Sequence, residues 1–265
     1  MSVDTEAIQI VEQNLVEFFR HIARVRPGGE LAELDGVWIA SAGIQFHMFN
    51  GAFFSGPVAE RIADLEGRIG EADRRLGAQG RRWAFWACEE RMARGLSRSE
   101  RDAFSRRGLG FAYRHPGMIA ERLQAPARAP AAIEIRPVVD RQTRLSFSHV
   151  NSIAFRIPFE WCLELYDIEA LWGGAFQGWV GYRNGEAVST AATLVAGGAT
   201  GLYAVATLPE HRRKGCAEAL VRHAVAHVEN SQGIGLSVLQ ATHEGEPLYR
   251  RMGYRTVTHF SVFST

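Results

Sequence analysis

The sequence has little cysteine and no long apolar run. Its three cysteines, Cys88, Cys162 and Cys216, are widely spaced and include no CxxC pair, so neither a zinc knuckle nor a disulfide framework is indicated. No stretch approaches the roughly 18 apolar residues of a membrane-spanning helix, and the acidic N-terminus does not resemble a signal peptide. We therefore expect a protein of the reducing cytoplasm, with no membrane partner and no bound metal.

An excess of charge of one sign is also missing. The 30 Lys and Arg residues almost balance the 29 Asp and Glu residues, which leaves a formal charge of +1. No overall field then attracts nucleic acid or an anionic membrane, so a polyanion partner would need a local basic patch. Nucleic acid is not an expected partner.

The 265 residues are enough for two compact units, and 46% hydrophobic with 22% charged residues is close to the globular average. The segment 125–131, APARAPA, is rich in Pro and Ala and has no larger apolar anchor, which is typical of a linker. We therefore expect one domain over 1–124 and a second over 132–265.

Apolar periodicity and turn residues predict an α+β fold in both parts of the chain. Before the linker we expect helices over 5–24, 57–78 and 97–107 and strands over 36–40, 45–54, 83–88 and 109–113. After it we expect strands over 132–139, 178–183, 186–196, 199–207, 234–240 and 254–263 and helices over 141–155, 158–171, 214–230 and 246–252. This order predicts a mixed sheet, antiparallel at first and then extended by a parallel crossover.

The most informative segment joins the strand that ends at Thr207 to the helix that follows. Pro209 blocks continuation of the strand, and the basic triplet 212–214 precedes Gly215. First-turn amides of a helix lack internal partners and lie at the positive end of its dipole, so they favour phosphate. Gly215 and Ala217 leave this turn nearly bare of side chains, which would let a diphosphate approach the backbone.

This segment resembles the acyl-CoA-binding motif of the GNAT superfamily of N-acetyltransferases, Arg/Gln-x-x-Gly-x-Gly/Ala after a strand. Arg212, Gly215 and Ala217 stand at its three defined positions. The strand end at 205–207 resembles the family's strand that pairs with pantetheine, and residues 244–255 resemble the family's second motif. The resemblance covers about residues 133–263 and is carried by these features together, since the six-residue pattern alone is common.

The resemblance implies acetyl-CoA as cosubstrate and direct attack of a neutral amine on the thioester, without a covalent enzyme intermediate. It implies that Tyr249 protonates or hydrogen-bonds the CoA sulfur and that the Val205 N–H stabilises the oxyanion. The implied cofactor-binding residues are Val205, Ala206, Thr207, Arg212, Arg213, Lys214, Gly215, Cys216 and Ala217.

The general base is not fixed by the residues. By the resemblance, the helical segment that contains Glu160, Glu164 and Asp167 borders the acceptor pocket, while His243 follows a strand. Single acids on helix faces are usually surface residues, so each of these groups is more often solvated or structural than a base, and a water relay is a further alternative. We take Glu164 as the catalytic candidate.

The acids lie among the aromatic residues Phe155, Phe159, Trp161, Tyr166 and Trp172. Carboxylates with an aromatic lining suit a small cationic amine, although any one of these rings is more often part of a core. We therefore expect transfer to the primary amine of a small molecule, and we expect the protein to be a monomer or a homodimer. The alternatives are a non-catalytic acyl-CoA-binding module and a protein or peptide N-acetyltransferase. Binding and turnover measurements separate these three functions.

The sequence of the N-terminal half can be aligned with that of the C-terminal half as a degenerate internal repeat. Residues 53–57 then match 205–209, and 103–108 match 248–253. The basic turn has no counterpart, and Phe104 stands at the tyrosine position, where it cannot donate a proton. We predict a tandem GNAT-like protein whose N-terminal half has lost its cofactor site; the alternative is an unrelated α+β domain with the same element order.

Overall fold

The computed structural model describes residues 3–93 and 95–265. Its α-helices are α1 (Val3–Val25), α2 (Ile62–Leu76), α3 (Arg98–Ser105), α4 (Arg141–Phe155), α5 (Phe159–Tyr166), α6 (Cys216–Gln232) and α7 (Glu246–Arg251). Its strands are β1 (Glu30–Leu34), β2 (Val37–Ser41), β3 (Asn50–Phe54), β4 (Ala84–Cys88), β5 (Gly110–Ala120), β6 (Glu134–Pro137), β7 (Phe176–Arg183), β8 (Glu186–Ala196), β9 (Ala199–Thr207), β10 (Ser237–Gln240) and β11 (Arg255–Ser264). The predicted α+β fold is confirmed, and none of the described helices is both long and apolar enough to cross a bilayer.

The chain forms two compact units whose segments alternate along the sequence. The C-terminal unit combines the residues up to Leu15 with 118–255, and the N-terminal unit combines 16–117 with 256–265. The segment 125–131 contains neither helix nor strand, yet it lies inside the C-terminal unit. The compact units therefore do not divide at the expected linker, because each half of the chain contributes a segment to the unit formed mainly by the other.

In the N-terminal unit, β1, β2 and β3 form an antiparallel meander, β4 pairs parallel with β3, and β11 pairs antiparallel with β4. The apolar faces of α2 and α3 cover one side of these strands, in a core that includes Phe54, Phe85 and Phe104. Helix α2 begins at Ile62 and not at Pro57, because the preceding loop is extended where Val58 forms a bridge with Met92. Strand β1 was not predicted.

In the C-terminal unit, β6, β7, β8 and β9 are antiparallel neighbours, and β10 pairs parallel with β9. The bounds of β8 and β9 agree with the prediction. Asn184 and Gly185 turn between β7 and β8 with φ of 52° and 82°, as the Asn-Gly pair requires. Helix α6 packs its apolar face on the strands, with Leu220, Val221 and Ala224 in the core.

Strand β5 extends beyond the expected segment 109–113. It continues through Pro116 to Ala120, and its last five residues are buried. A proline inside a strand usually indicates a break, because it cannot donate a ladder hydrogen bond. Here the sequence misled us because burial of the residues after Pro116, a tertiary property, favours continuation of the strand.

Candidate active site

The two parallel strands β9 and β10 separate at the end where the predicted site residues lie. Their register runs from Thr200↔Ser237 to Leu202↔Leu239. Strand β9 continues to Thr207, whereas β10 ends at Gln240. The backbone of 203–207 therefore has no strand partner on the β10 side among the described residues, and its polar groups can pair with an extended ligand.

A β-bulge lies in the same part of β9. Thr190 is in register with Ala206 and Ala192 with Tyr203, so two residues of β9 oppose the single residue Ala191 of β8. Those two residues are Ala204, which has a φ of 49°, and Val205. A bulge of this kind rotates the strand and releases backbone groups from the ladder, which makes the Val205 amide a candidate donor.

After β9, residues 209–211 form a 3₁₀ turn, and α6 begins at Cys216. Arg213 and Gly215 have left-handed φ angles of 60° and 84°. Among the described residues, the amides of 213–218 donate to no backbone carbonyl; the first such donor is Ala219, which bonds to Gly215 O at 3.0 Å. Exposed amides at a helix N-terminus form an anion-binding site.

The three cations of the turn have different surroundings. The Arg212 guanidinium donates to Thr207 O at 3.3 Å and Ala154 O at 3.2 Å, so it ties the end of β9 to the end of α4. Arg213 and Lys214 are exposed. Arg212 thus acts on the site mainly by holding the strand end, while the other two contribute charge at the surface of the turn.

Sequence reasoning missed Arg128 at this site. A Cβ placed on Gly215 would lie 3.6 Å from Arg128 Nη2 and 3.5 Å from Ala131 Cβ. The segment 125–131 therefore passes beside the start of α6 and adds a cation there. No sequence motif indicates a role for Arg128, because Arg128 is far from Gly215 in the sequence and only the folded chain brings the two together.

Cys216, the first residue of α6, is buried. Burial raises the pKa of its thiol, while the charges of Arg183 and Lys214 lower it to a smaller extent. The thiol therefore stays protonated near neutral pH and is a small buried side chain without nucleophilic character.

Tyr249 lies in the middle of α7 and is 7% exposed. Its ring contacts Tyr254 edge to face, with centroids 5.7 Å apart, and Gly245 N donates to Thr242 Oγ1 at the start of the helix. Burial raises the pKa of Tyr249, so its hydroxyl is a hydrogen-bond donor throughout the physiological range. No hydrogen bond joins this hydroxyl to another described residue.

The candidate bases are on or near the surface. Glu160 and Glu164 of α5 and His243 are exposed. Asp167 is half-buried and ion-paired, with Arg144 Nε at 3.0 Å and Arg141 Nε at 3.3 Å, which makes it a structural group of the α4–α5 region. The geometry does not distinguish between the two α5 glutamates, and the role of Glu164 stays a prediction.

The aromatic residues expected near these acids fall into two groups. Tyr166 and Trp172 pack edge to face on Phe147 and belong to the interior. Phe155 and Phe159 are 41% and 36% exposed, so these two rings are available to a molecule that approaches α4 and α5.

The corresponding region of the N-terminal unit is closed. β3 and β4 are parallel, like β9 and β10, but Val58 N donates to Arg91 O at 2.7 Å across the place where the strands would separate. A cavity of only about 10 Å³ lies beside Val58 and Ile62, room for at most one water. Phe104 stacks on Phe263 with centroids 3.9 Å apart.

The start of α2 is also filled by its own side chains. Asp64 Oδ2 accepts from Ala59 N at 2.8 Å. Arg68 donates to Gly56 O at 3.0 Å and to Pro57 O at 2.7 Å. The Asp64 carboxylate therefore already accepts the hydrogen bond of the Ala59 amide, which precedes this helix. Its negative charge would also repel a phosphate.

Comparison with known proteins agrees with this geometry. The Acetyltransferase (GNAT) domain family matches residues 175–256. No curated protein matches the chain.

Several solved structures are similar to the chain. A GCN5-related N-acetyltransferase from Kribbella flavida has a TM-score of 0.73 and 18% identity, over 97% of this chain and 95% of that one. A GCN5-related N-acetyltransferase from Sphaerobacter thermophilus has a TM-score of 0.61 and 15% identity, over 87% and 76%. A tandem GNAT protein from the clavulanic acid biosynthesis pathway has a TM-score of 0.55 and 9% identity, over 100% and 95%.

The TM-scores of 0.73, 0.61 and 0.55 establish a common fold, and at 18%, 15% and 9% identity they establish the fold alone. The resemblance to the GNAT superfamily is thus confirmed at the level of the fold: the chain has the fold of solved GCN5-related N-acetyltransferases, and its residues 175–256 match the Acetyltransferase (GNAT) domain family.

Proposed function

We propose that the protein is an acyl-CoA-dependent N-acetyltransferase that transfers acetyl from acetyl-CoA to the primary amine of a small molecule. One observation carries the proposal: strand separation, a β-bulge and a helix start with unpaired amides all lie within residues 203–218. Each feature alone is common. Together, within one segment of the chain, they provide a strand edge for an extended ligand, an N–H donor for a carbonyl oxygen and free amides for a phosphate.

In this proposal the backbone of 205–207 pairs with the pantetheine amides in the gap beside β10. The amides of 213–218 hold the diphosphate, assisted by the charges of Arg213 and Lys214. Gly215 leaves room for that approach, and its φ of 84° is one that L residues adopt only with strain. Arg212 keeps the strand end in place through Thr207 O.

The chemical step needs one donor at each end of the thioester. The Val205 N–H stabilises the negative charge that develops on the carbonyl oxygen. The Tyr249 hydroxyl donates to the departing sulfur, a role that fits a phenol whose raised pKa keeps it protonated. The amine attacks in its neutral form, and the proton it loses passes to a base.

Glu164 is the base that we propose, directly or through water. It lies on α5 with Glu160, and the exposed rings of Phe155 and Phe159 belong to the same region. Two carboxylates beside aromatic faces attract a small ammonium ion. The three buried cysteines suit the reducing cytoplasm as the place of action.

The test is acetyl-CoA binding by calorimetry, together with release of free CoA over a panel of amines. We expect binding by the wild type and a loss of at least about 10-fold in affinity for Gly215→Glu, because a carboxylate then occupies the anion site. Gly233→Glu is the matched control, since Gly233 caps the other end of α6 with a φ of 72°.

Equal affinity of the Gly215→Glu variant and the wild type would contradict the cofactor site. Tight binding without turnover on any amine would instead support a non-catalytic acyl-CoA-binding module. Turnover on peptides and none on free amines would support protein acetylation.

We further infer that the N-terminal unit has no cofactor site. The support is the Val58–Arg91 hydrogen bond, the Asp64 carboxylate before α2 and the buried Phe104 ring. Calorimetry is then expected to give one acetyl-CoA per chain, and the Gly215→Glu variant to retain no second site. A stoichiometry of two would overturn this inference.

A further inference from the structure

The bulge in β9 is held by buried hydrogen bonds that start on α4. Asn151 Nδ2 donates to Thr190 Oγ1 at 3.0 Å, and Thr190 Oγ1 lies 2.9 Å from the carbonyl oxygen of Ala204. Asn151 is 1% exposed and Thr190 is fully buried. A hydroxyl has one hydrogen, so Thr190 accepts from Asn151 and donates to Ala204. The amide of Asn151 is itself fixed by its second bond, to Phe147 O at 2.8 Å.

The Ala204 carbonyl and the Val205 N–H belong to the same peptide group. In a planar trans peptide the C=O and N–H bonds are antiparallel. Because Thr190 binds the carbonyl from the β8 side, the Val205 N–H is directed away from β8, towards the side on which β9 has no strand partner beyond Leu202. The Thr190 hydroxyl therefore determines the direction of the candidate oxyanion donor.

A second hydroxyl of β8, that of Ser189, holds the peptide group between Ala206 and Thr207. Ser189 Oγ donates to Ala206 O at 2.6 Å, and because its hydrogen is then used it accepts from Thr207 Oγ1 at 2.8 Å. The carbonyls of Ala204 and Ala206 are thus both bound by side chains of one strand. Rotation of the backbone at Val205 would have to break at least one of these bonds.

The bulge requires such support. Ala204 has a left-handed φ of 49°, a conformation that is strained for an L residue because its Cβ comes too close to the following carbonyl oxygen. Neither Ala204 nor Val205 is in register with a residue of β8, so the ladder does not maintain their orientation. We infer that Asn151 and Thr190 are positioning residues that hold the Val205 N–H in the direction needed for acetyl transfer, an inference that rests on the proposed function.

Three variants of β8 test this role. Thr190→Val removes the hydroxyl at nearly constant shape, Thr190→Ser restores it, and Thr193→Val is the matched control. Thr193 is buried on the same strand, and its hydroxyl has no hydrogen-bond partner among the described residues. Turnover with acetyl-CoA, affinity for acetyl-CoA and amide hydrogen exchange of the peptide 203–207 are measured for each variant.

For Thr190→Val we expect kcat to fall by about 10-fold or more, below the 10²–10³-fold loss of a deleted oxyanion donor. Its acetyl-CoA affinity is expected to stay within about 3-fold of wild type, since the diphosphate contacts are intact. Exchange of 203–207 is expected to accelerate. Thr190→Ser and Thr193→Val should resemble the wild type in all three measurements.

Unchanged exchange and kcat in Thr190→Val would overturn the inference, as would an equal loss in Thr193→Val or the absence of rescue by serine. If the wild type neither binds acetyl-CoA nor releases CoA, the proposed function fails. The exchange rates then still decide whether Thr190 holds the bulge, because they are measured on the free protein.

Discussion

The side-chain oxygen of Asn14 accepts a hydrogen bond of 2.6 Å from the hydroxyl of Tyr203, 189 residues further along the chain. The Asn14 amide nitrogen also donates to Ala196 O at 3.0 Å and to Ala199 O at 3.1 Å. A Cβ on Gly201 would lie only 1.8 Å from Asn14 Oδ1. This buried asparagine is therefore what attaches the first half of α1 to the β8–β9 hairpin.

Replacing Asn14 by Leu is expected to lower the free energy of unfolding by about 2–4 kcal/mol, since a buried phenol and two carbonyls lose their partner. Urea denaturation followed by circular dichroism measures the change. Gln13→Leu is the control, because Gln13 is the exposed neighbour on the same helix. A midpoint equal to that of the wild type would show that these bonds contribute nothing.

Tyr249→Phe is expected to lower kcat by about 10²-fold, the usual contribution of a positioned acid. The affinity for acetyl-CoA should change little, because the ring stays in the core. Tyr254→Phe is the control: its hydroxyl bonds to Ser237 Oγ at 2.7 Å, so its loss should reduce stability and leave kcat in place. Steady-state kinetics on both variants checks this, and a fully active Tyr249→Phe variant would rule out the assigned role.

The three thiols are expected to resist alkylation in the folded protein. All three are buried, and burial raises the pKa of Cys162 to about 12 and the pKa of Cys216 in the same direction. The thiolate is the reactive form, so iodoacetamide at pH 8 should label none of them until denaturant is added. Intact-protein mass spectrometry gives the count, and rapid labelling of the native protein would contradict the burial.

Glu89 is expected to make the stability of the N-terminal unit depend on pH. Its carboxylate accepts from Arg114 Nε and Nη2, both at 2.8 Å, and the pKa of Glu89 lies below its usual value chiefly because of this bond. The stabilisation is present above the ordinary pKa of 4.5 and is lost as the pH falls through the lower folded value.

Glu89→Gln should therefore cost about 1 kcal/mol at pH 7, and the difference from wild type should shrink below pH 4.5. Glu134→Gln is the control. Glu134 bonds to Arg136, two residues away, and such a local pair can form equally in the unfolded chain. Denaturation curves at several pH values compare the variants, and a difference for Glu89→Gln that does not change with pH would contradict the assignment.

Local sequence patterns were sufficient to predict those elements whose bounds depend on contacts between residues close together in the sequence. The bounds of β8 and β9 follow from alternating side chains and from the turns Asn184-Gly185 and Gly197-Gly198, whose positive φ angles suit those residues. The turn before α6 could be located because its proline, cations and glycine are contiguous. In contrast, β1 was missed because its sequence, ELAEL, is short and contains no β-branched or aromatic residue.

The sequence by itself determined the α+β class, the order of the helices and strands after residue 131 and the position of the basic turn, since these depend on residues that are neighbours along the chain. Only the tertiary structure decided that β11 pairs with β4, that Arg128 lies beside Gly215 and that Asn151 and Thr190 support the bulge at Ala204. The physical reason is that pairing and burial between distant segments depend on how the elements pack, and a single sequence carries no local signal for that choice.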